Sequence, residues 1–213
     1  MMSIKTVSLN GKRLETPNIF ASYRLGEYPN ARLKCLPWKE IEVDALLINA
    51  YDFLKPLYGE LLNGDKSIRQ FLDFKKIIMM DSGGFYFIEK KHINIDPLEI
   101  LNIETKAMVD IGIVLDHPMH PKASNPHKRV ENTLKNASIM FQALSRNDNN
   151  AYNTFKLTPV IQGYDKSLLD YSINYLSKIM ERYNGGTFDY VGIGGLVPLS
   201  QSCLLYTSPS PRD

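Results

Sequence analysis

The stretch KKIIMMDSGGFYF, residues 75–87, decides how the rest of the chain is read. Four apolar residues, Ile77 to Met80, run without a break into Asp81, then Ser82, Gly83 and Gly84, then three aromatics. A short continuous apolar run stopped by glycines reads as a strand buried on both faces, as in parallel sheets. It leaves Asp81 at the mouth of that strand.

The same pattern recurs outward in both directions. VDALLINA (43–50), IIMMDS (77–82), IGIVLD (111–116), FKLTPVIQG (155–163) and DYVGIGGL (189–196) are short apolar runs. Between them lie segments of helical period: SIRQFLDF, DPLEILNIETKAMVDIG, SNPHKRVENTLKNASIMFQALS and DKSLLDYSINYLSKIMERY. Pro97 and Pro126 suit first helical turns, and Ser124 or Asn125 suits a cap. Strands recur roughly every 32–45 residues, each followed by a helix, which is the βαβ rhythm of a parallel sheet. LETPNIFASYRL (14–25) adds one or two strands at the start. The predicted fold is α/β, a (β/α)8 TIM barrel cut off after five or six βα units. A doubly wound open sheet competes, but no GxGxxG turn supports it.

Composition restricts the setting more than the activity. The chain has 213 residues, 44% hydrophobic and 23% charged, with net charge +2, which suits one soluble domain. No run of eighteen apolar residues is present to span a membrane, and the N-terminus lacks a signal-peptide core. Two cysteines, Cys35 and Cys203, make no disulfide framework, so a reducing cytoplasm is the expected compartment. The last eleven residues, CLLYTSPSPRD (203–213), match one reading frame of a transposase-type sequencing adapter codon for codon. Residues 1–202 are therefore read as a partial barrel domain, 203–213 as a non-native tail, and the natural C-terminus as missing.

Asn49, Asp81, Asp116, Gln162 and Gly194-Gly195 each stand where an apolar run stops. Any one of them could be an ordinary loop entry. In a barrel they converge on the C-terminal face, where active sites lie, and would surround a flat, hydrogen-bonding ligand.

These elements resemble the tRNA-guanine transglycosylase family from about Thr16 to Ser202. Asp81-Ser82-Gly83-Gly84-Phe85 matches the family's Asp-Ser-Gly-Gly-Phe/Tyr, and Asn49-Ala50-Tyr51 resembles its Asn-Thr-Tyr. Val160-Ile161-Gln162-Gly163 matches the Val-Gln-Gly strand end, and Gly194-Gly195-Leu196 the Gly-Gly-Leu/Val element. The family swaps a guanine in nucleic acid for a 7-deazaguanine base through a covalent aspartyl–ribose intermediate.

The resemblance implies a role for each residue. Asp81 is the acid/base on the departing or arriving base, while Ser82 and the glycines let the backbone approach it. Phe85 stacks on the base. Asp116 accepts the N1 and 2-amino hydrogens, and Gln162 and the Gly195 N–H donate to O6. A cap at Asp81 and a tight turn at Gly194-Gly195 are the structural alternatives. Tyr86 departs from the Gln of tRNA-modifying relatives, and Phe87 is read as core.

Val197-Pro198-Leu199-Ser200 replaces the Ala-Val-Gly-Glu of relatives that take an aminomethyl base. A neutral, preQ0-like base is therefore expected, as in archaeosine-type enzymes and their DNA-modifying cousins. His117, His120 and His127 fit no zinc spacing, so no metal is assigned in this chain. The family's structural zinc is expected beyond Ser202, as is its nucleophilic aspartate, so the fragment alone is expected to turn nothing over. Lys90-Lys91-His92 and Lys128-Arg129 could meet phosphates but read as solvated charge. The expected partners are tRNA or DNA and a 7-deazaguanine base, with a homodimer common in the family. A non-catalytic partner subunit and a sugar-cleaving barrel with paired carboxylates are the other readings considered.

Overall fold

The computed structural model describes residues 5–25, 36–63, 67–84, 95–119, 125–146, 156–183 and 188–195. Phe85, Tyr86, Phe87, Lys90, Lys91, His92, His120, Leu196 to Ser200 and the tail 203–213 lie outside these residues. The chain forms two compact units, one of Met1–Gly83, Leu98–Ile113 and Asn147–Leu157, the other of Gly84–Pro97, Val114–Arg146 and Thr158–Asp213.

The first unit opens with a hairpin that the pattern of apolar runs does not show. Strands β1 (Lys5–Leu9) and β2 (Lys12–Thr16) pair antiparallel with Leu9 opposite Lys12. The two-residue loop is Asn10-Gly11, with φ of 50° and 74°. That pair is the preferred sequence for a loop needing two positive φ angles. Buried Asp110 holds the hairpin down, accepting from Asn10 Nδ2 at 3.1 Å and from Lys12 Nζ at 2.5 Å. It also takes Arg69 and the Ile78 N–H, the latter at 2.9 Å.

A five-stranded sheet follows in the order β3 (Ala21–Ser22), β4 (Ala45–Asn49), β5 (Ile77–Asp81), β6 (Ile111–Ile113), β7 (Lys156–Thr158). The β3–β4, β4–β5 and β5–β6 pairs are parallel. Mixed α/β structure with a parallel sheet is thus as expected. Leu46, Ile48, Ile77, Ile78 and Met80 are all at most 1% exposed, which explains the continuous apolar runs. Helix α1 (Ala50–Phe53) follows β4, then α2 (Pro56–Gly59). Helix α3 (Ile68–Leu72) begins with a reciprocal Ser67–Gln70 capping box, and α4 (Pro97–Lys106) lies between β5 and β6 in the chain.

The expected strand 155–163 is two strands in two sheets. β7 ends at Thr158 and β8 (Val160–Ile161) instead pairs with β9 (Gly192–Ile193) in parallel. Pro159 stands at the break, where it has no N–H to give a ladder. In the second unit α5 (Pro126–Arg146) and α6 (Lys166–Tyr183) pack together, and Val130, Leu134, Ala137, Leu168, Leu176 and Ile179 are all buried. Among the described residues no helix is long and apolar enough to cross a membrane.

Candidate active site

Two side-chain clusters form at strand ends, one in each unit. In the first, register places Asn49 opposite Asp81 on the last rung of β4 and β5. Asn49 also caps α1, its Oδ1 accepting the Tyr51 N–H at 2.9 Å. The cap fixes which way the amide faces, and Nδ2 then donates to Asp81 Oδ2 at 2.9 Å.

Burial pushes the Asp81 carboxyl above its ordinary pKa. The Gly83 and Ser82 N–H groups, the Arg24 charge and the Asn49 amide partly offset that rise. A carboxyl so placed can hold a proton nearer neutral pH than a surface aspartate and still release it. Arg24 is itself anchored, since fully buried Asp52 accepts from its Nε and Nη2 at 3.3 Å each and from the Leu25 N–H at 3.0 Å. Gly83 has φ +86°, and a Cβ there would stand 2.8 Å from Asn49 Oδ1 and 2.7 Å from Tyr51 Cβ. Only glycine meets both demands. Ser82 is fully buried, with no protein partner for Oγ among the described residues.

Glu104 is also fully buried in this unit, although its place inside a helical pattern gives no sign of it in the sequence. One carboxyl oxygen accepts the Ile113 N–H at 2.8 Å, and the other has no partner among the described residues. Burial raises its pKa well above the usual glutamate value; the Ile113 N–H opposes the rise and the Asp81 charge adds to it. Glu104 therefore holds its proton to higher pH than an exposed glutamate.

In the second unit Gln162 Nε2 donates to Asp116 Oδ2 at 2.5 Å. Gln162 is fully buried and its backbone N–H donates to Ser172 Oγ of α6 at 3.2 Å. Gly194 lies flat against the amide, with any Cβ 2.5 Å from Gln162 Nε2. Its own N–H donates to the Ile161 carbonyl at 2.9 Å, and Gly195 turns the chain at φ +80°. A Cβ on Gly84 would collide with Asp116 Oδ1 and come within 2.5 Å of its carbonyl oxygen. Beside Asp116, burial and the Arg129 charge lower the His117 pKa to about 4, so its ring is neutral.

The structure thus brings Asn49, Asp81, Ser82 and Gly83 together, and separately Gly84, Asp116, Gln162, Gly194 and Gly195. One cluster offers a proton-carrying carboxyl. The other offers a carboxylate and a carboxamide side by side, flanked by glycine backbone. Among the described residues no three of His, Cys, Asp or Glu converge on a metal-sized site.

Known proteins match nearly the whole chain. A tRNA-guanine(15) transglycosylase of Methanococcus maripaludis strain C5 is 28% identical over 204 residues, covering 94% of this chain and 29% of the relative. The protein of that description from Nanoarchaeum equitans is 31% identical over 195 residues, covering 90% of this chain and 42% of the relative. The chain thus spans less than half the length of these relatives. The model of the family described as queuine tRNA-ribosyltransferase matches residues 3–205. That span takes in both strand-end clusters, and the chain belongs to the queuine tRNA-ribosyltransferase family.

Proposed function

We propose that this chain is part of a tRNA-guanine transglycosylase that replaces a guanine in tRNA with a 7-deazaguanine base, on a partial (β/α)8 barrel. The observation that carries the reading is the pairing of Asp116 with Gln162 in a family member that also keeps Asp81 as a carboxyl of raised proton affinity. A guanine edge presents hydrogens at N1 and the 2-amino group and an acceptor at O6. Asp116 takes the two hydrogens, and the second Gln162 amide hydrogen and the Gly195 N–H meet O6. The relatives' descriptions favour tRNA over DNA.

The reaction is two displacements at one carbon. A carboxylate oxygen attacks ribose C1′, and the C1′–N9 bond breaks with its electron pair going to the guanine ring, which takes a proton from Asp81. The incoming base then gives its N9 proton to Asp81 and displaces the carboxylate from C1′. The attacking aspartate is assigned outside the described residues. Val197-Pro198 in place of a glutamate-bearing segment favours the neutral nitrile base preQ0.

The test is exchange by the intact gene product, using unmodified tRNA and labelled guanine, followed by competition with preQ0 and preQ1. The reading expects label in tRNA, displaced by preQ0, and none with Asp81→Asn. Label entering duplex DNA but not tRNA would move the substrate assignment, and preference for preQ1 would sink the nitrile assignment.

A further inference from the structure

Helix α5 carries a polar stripe that packing alone does not require. Arg129, Thr133 and Asn136 are four and three residues apart, so they lie along one helix face. Thr133 is 1% and Asn136 8% exposed, among buried Val130, Leu134, Ala137 and Met140. Apolar side chains would fill this face at no desolvation cost, whereas polar ones are tolerated only when bonded.

All three are bonded to one short stretch of backbone. Asn136 Nδ2 donates to the Leu115 carbonyl at 2.9 Å. Thr133 Oγ1 accepts the His117 N–H at 2.8 Å and donates to the Arg129 carbonyl at 3.1 Å. Arg129 Nη1 donates to the Pro118 carbonyl at 2.6 Å. Leu115 and His117 are the residues immediately before and after Asp116. They lie past the end of β6 at Ile113, so a helix supplies the partners that a ladder no longer does.

We propose that Thr133 and Asn136 are positioning residues for Asp116, and that they set how strictly the enzyme selects a base carrying the 2-amino group. The inference rests on the base-reading role given to Asp116 above. Holding the peptide on both sides fixes the direction of the Cα–Cβ bond, and the Gln162 amide then fixes the carboxylate plane. Both hydrogens of a guanine edge are met only from that one orientation. A tilt of either peptide moves one oxygen off its donor while leaving the other in reach. Ser172 grips the Gln162 N–H in a similar way, but on one side only.

The experiment measures kcat and KM for guanine and for hypoxanthine, which lacks the 2-amino group, with the intact enzyme. Thr133→Val keeps the volume and removes both bonds; Thr133→Ser keeps the hydroxyl; Asn136→Leu removes the other anchor. Thr133→Val and Asn136→Leu are expected to raise KM for guanine about tenfold, with kcat within about threefold. The preference for guanine over hypoxanthine should shrink about tenfold, and Thr133→Ser should keep it. A Thr133→Val enzyme that melts earlier but keeps the full preference overturns the positioning role while leaving base reading intact. If Thr133→Val does not fold, Asn136→Leu decides by the same measurement. If Asp116→Asn also leaves the preference untouched, it is the base-reading role that fails.

Discussion

Glu104 takes the Ile113 N–H at 2.8 Å, at the point where the β5–β6 register would next bring Asp81 opposite Ile113. A helix carboxyl thus substitutes for the strand partner, and the ladder stops one rung short of Asp81. Because burial raises the Glu104 pKa, the folded protein holds on to a proton that the unfolded chain releases above the usual glutamate pKa. Stability is then lost as pH rises above that value, by up to about 1.4 kcal/mol per pH unit. Glu104→Gln retains the acceptor and removes the titration. Urea unfolding at pH 5 and pH 8 should show the variant gaining on the wild type at the higher pH. Parallel behaviour at both values would mean Glu104 is ionised in the folded state.

Asn49→Ala removes one of the donors that restrain the rise in the Asp81 pKa. The limb of the pH–rate profile that reports the Asp81 titration should therefore move to higher pH, because the charged form of the carboxyl loses a hydrogen bond. Arg24 acts on Asp81 as well and is unchanged in this variant. The lost cap on α1 costs about 1 kcal/mol of stability, so folding is followed by circular dichroism. A limb that stays in place would assign the titration to another group.

Gly84→Ala should lower activity about a hundredfold with the fold retained, because the added methyl meets the Asp116 carboxylate and carbonyl. Gly192→Ala is the control. Its Cβ would find Val160 Cγ2 at an ordinary 3.5 Å, and its activity should stay near wild type. Equal losses in the two would show that the effect is not specific to Asp116.

Asp110→Ala should destabilise the protein by about 3–5 kcal/mol, since it leaves Lys12 and Arg69 around a buried site with no counter-charge. Burial alone would raise the Asp110 pKa, but Lys12, the Ile78 N–H and Arg69 bring it below the usual value. Its contribution is therefore present above the usual aspartate pKa and lost as pH falls through the lower, folded one. Chemical denaturation at neutral pH measures the loss. A change under about 1 kcal/mol, the size of a surface ion pair, would show that the hairpin anchor is dispensable.

The strand ends were legible because each interrupts an apolar run with a residue of distinct chemistry: Asn49, Asp81, Asp116, Gln162. Their supports were not. Glu104, Thr133 and Asn136 lie inside amphipathic helices, where a polar residue reads as the solvent face until burial is known. Asp52 and Arg24 belong to no periodic pattern at all. The β1–β2 hairpin had a signal in Asn10-Gly11 between apolar and polar alternation, and the break at Thr158 had one in Pro159. Both signals are only a residue or two long, easily outweighed by the longer apolar runs around them.

The chain passes from one compact unit to the other between Gly83 and Gly84. A methyl at 83 would press on Asn49 and Tyr51, while one at 84 would press on Asp116 and Pro118. Two neighbouring codons are therefore policed by unrelated sets of side chains. In a selection for restored activity, suppressors of Gly83→Ala should cluster around positions 49 and 51, and those of Gly84→Ala around 116 and 118. The two suppressor lists should not overlap, although the lesions are one residue apart.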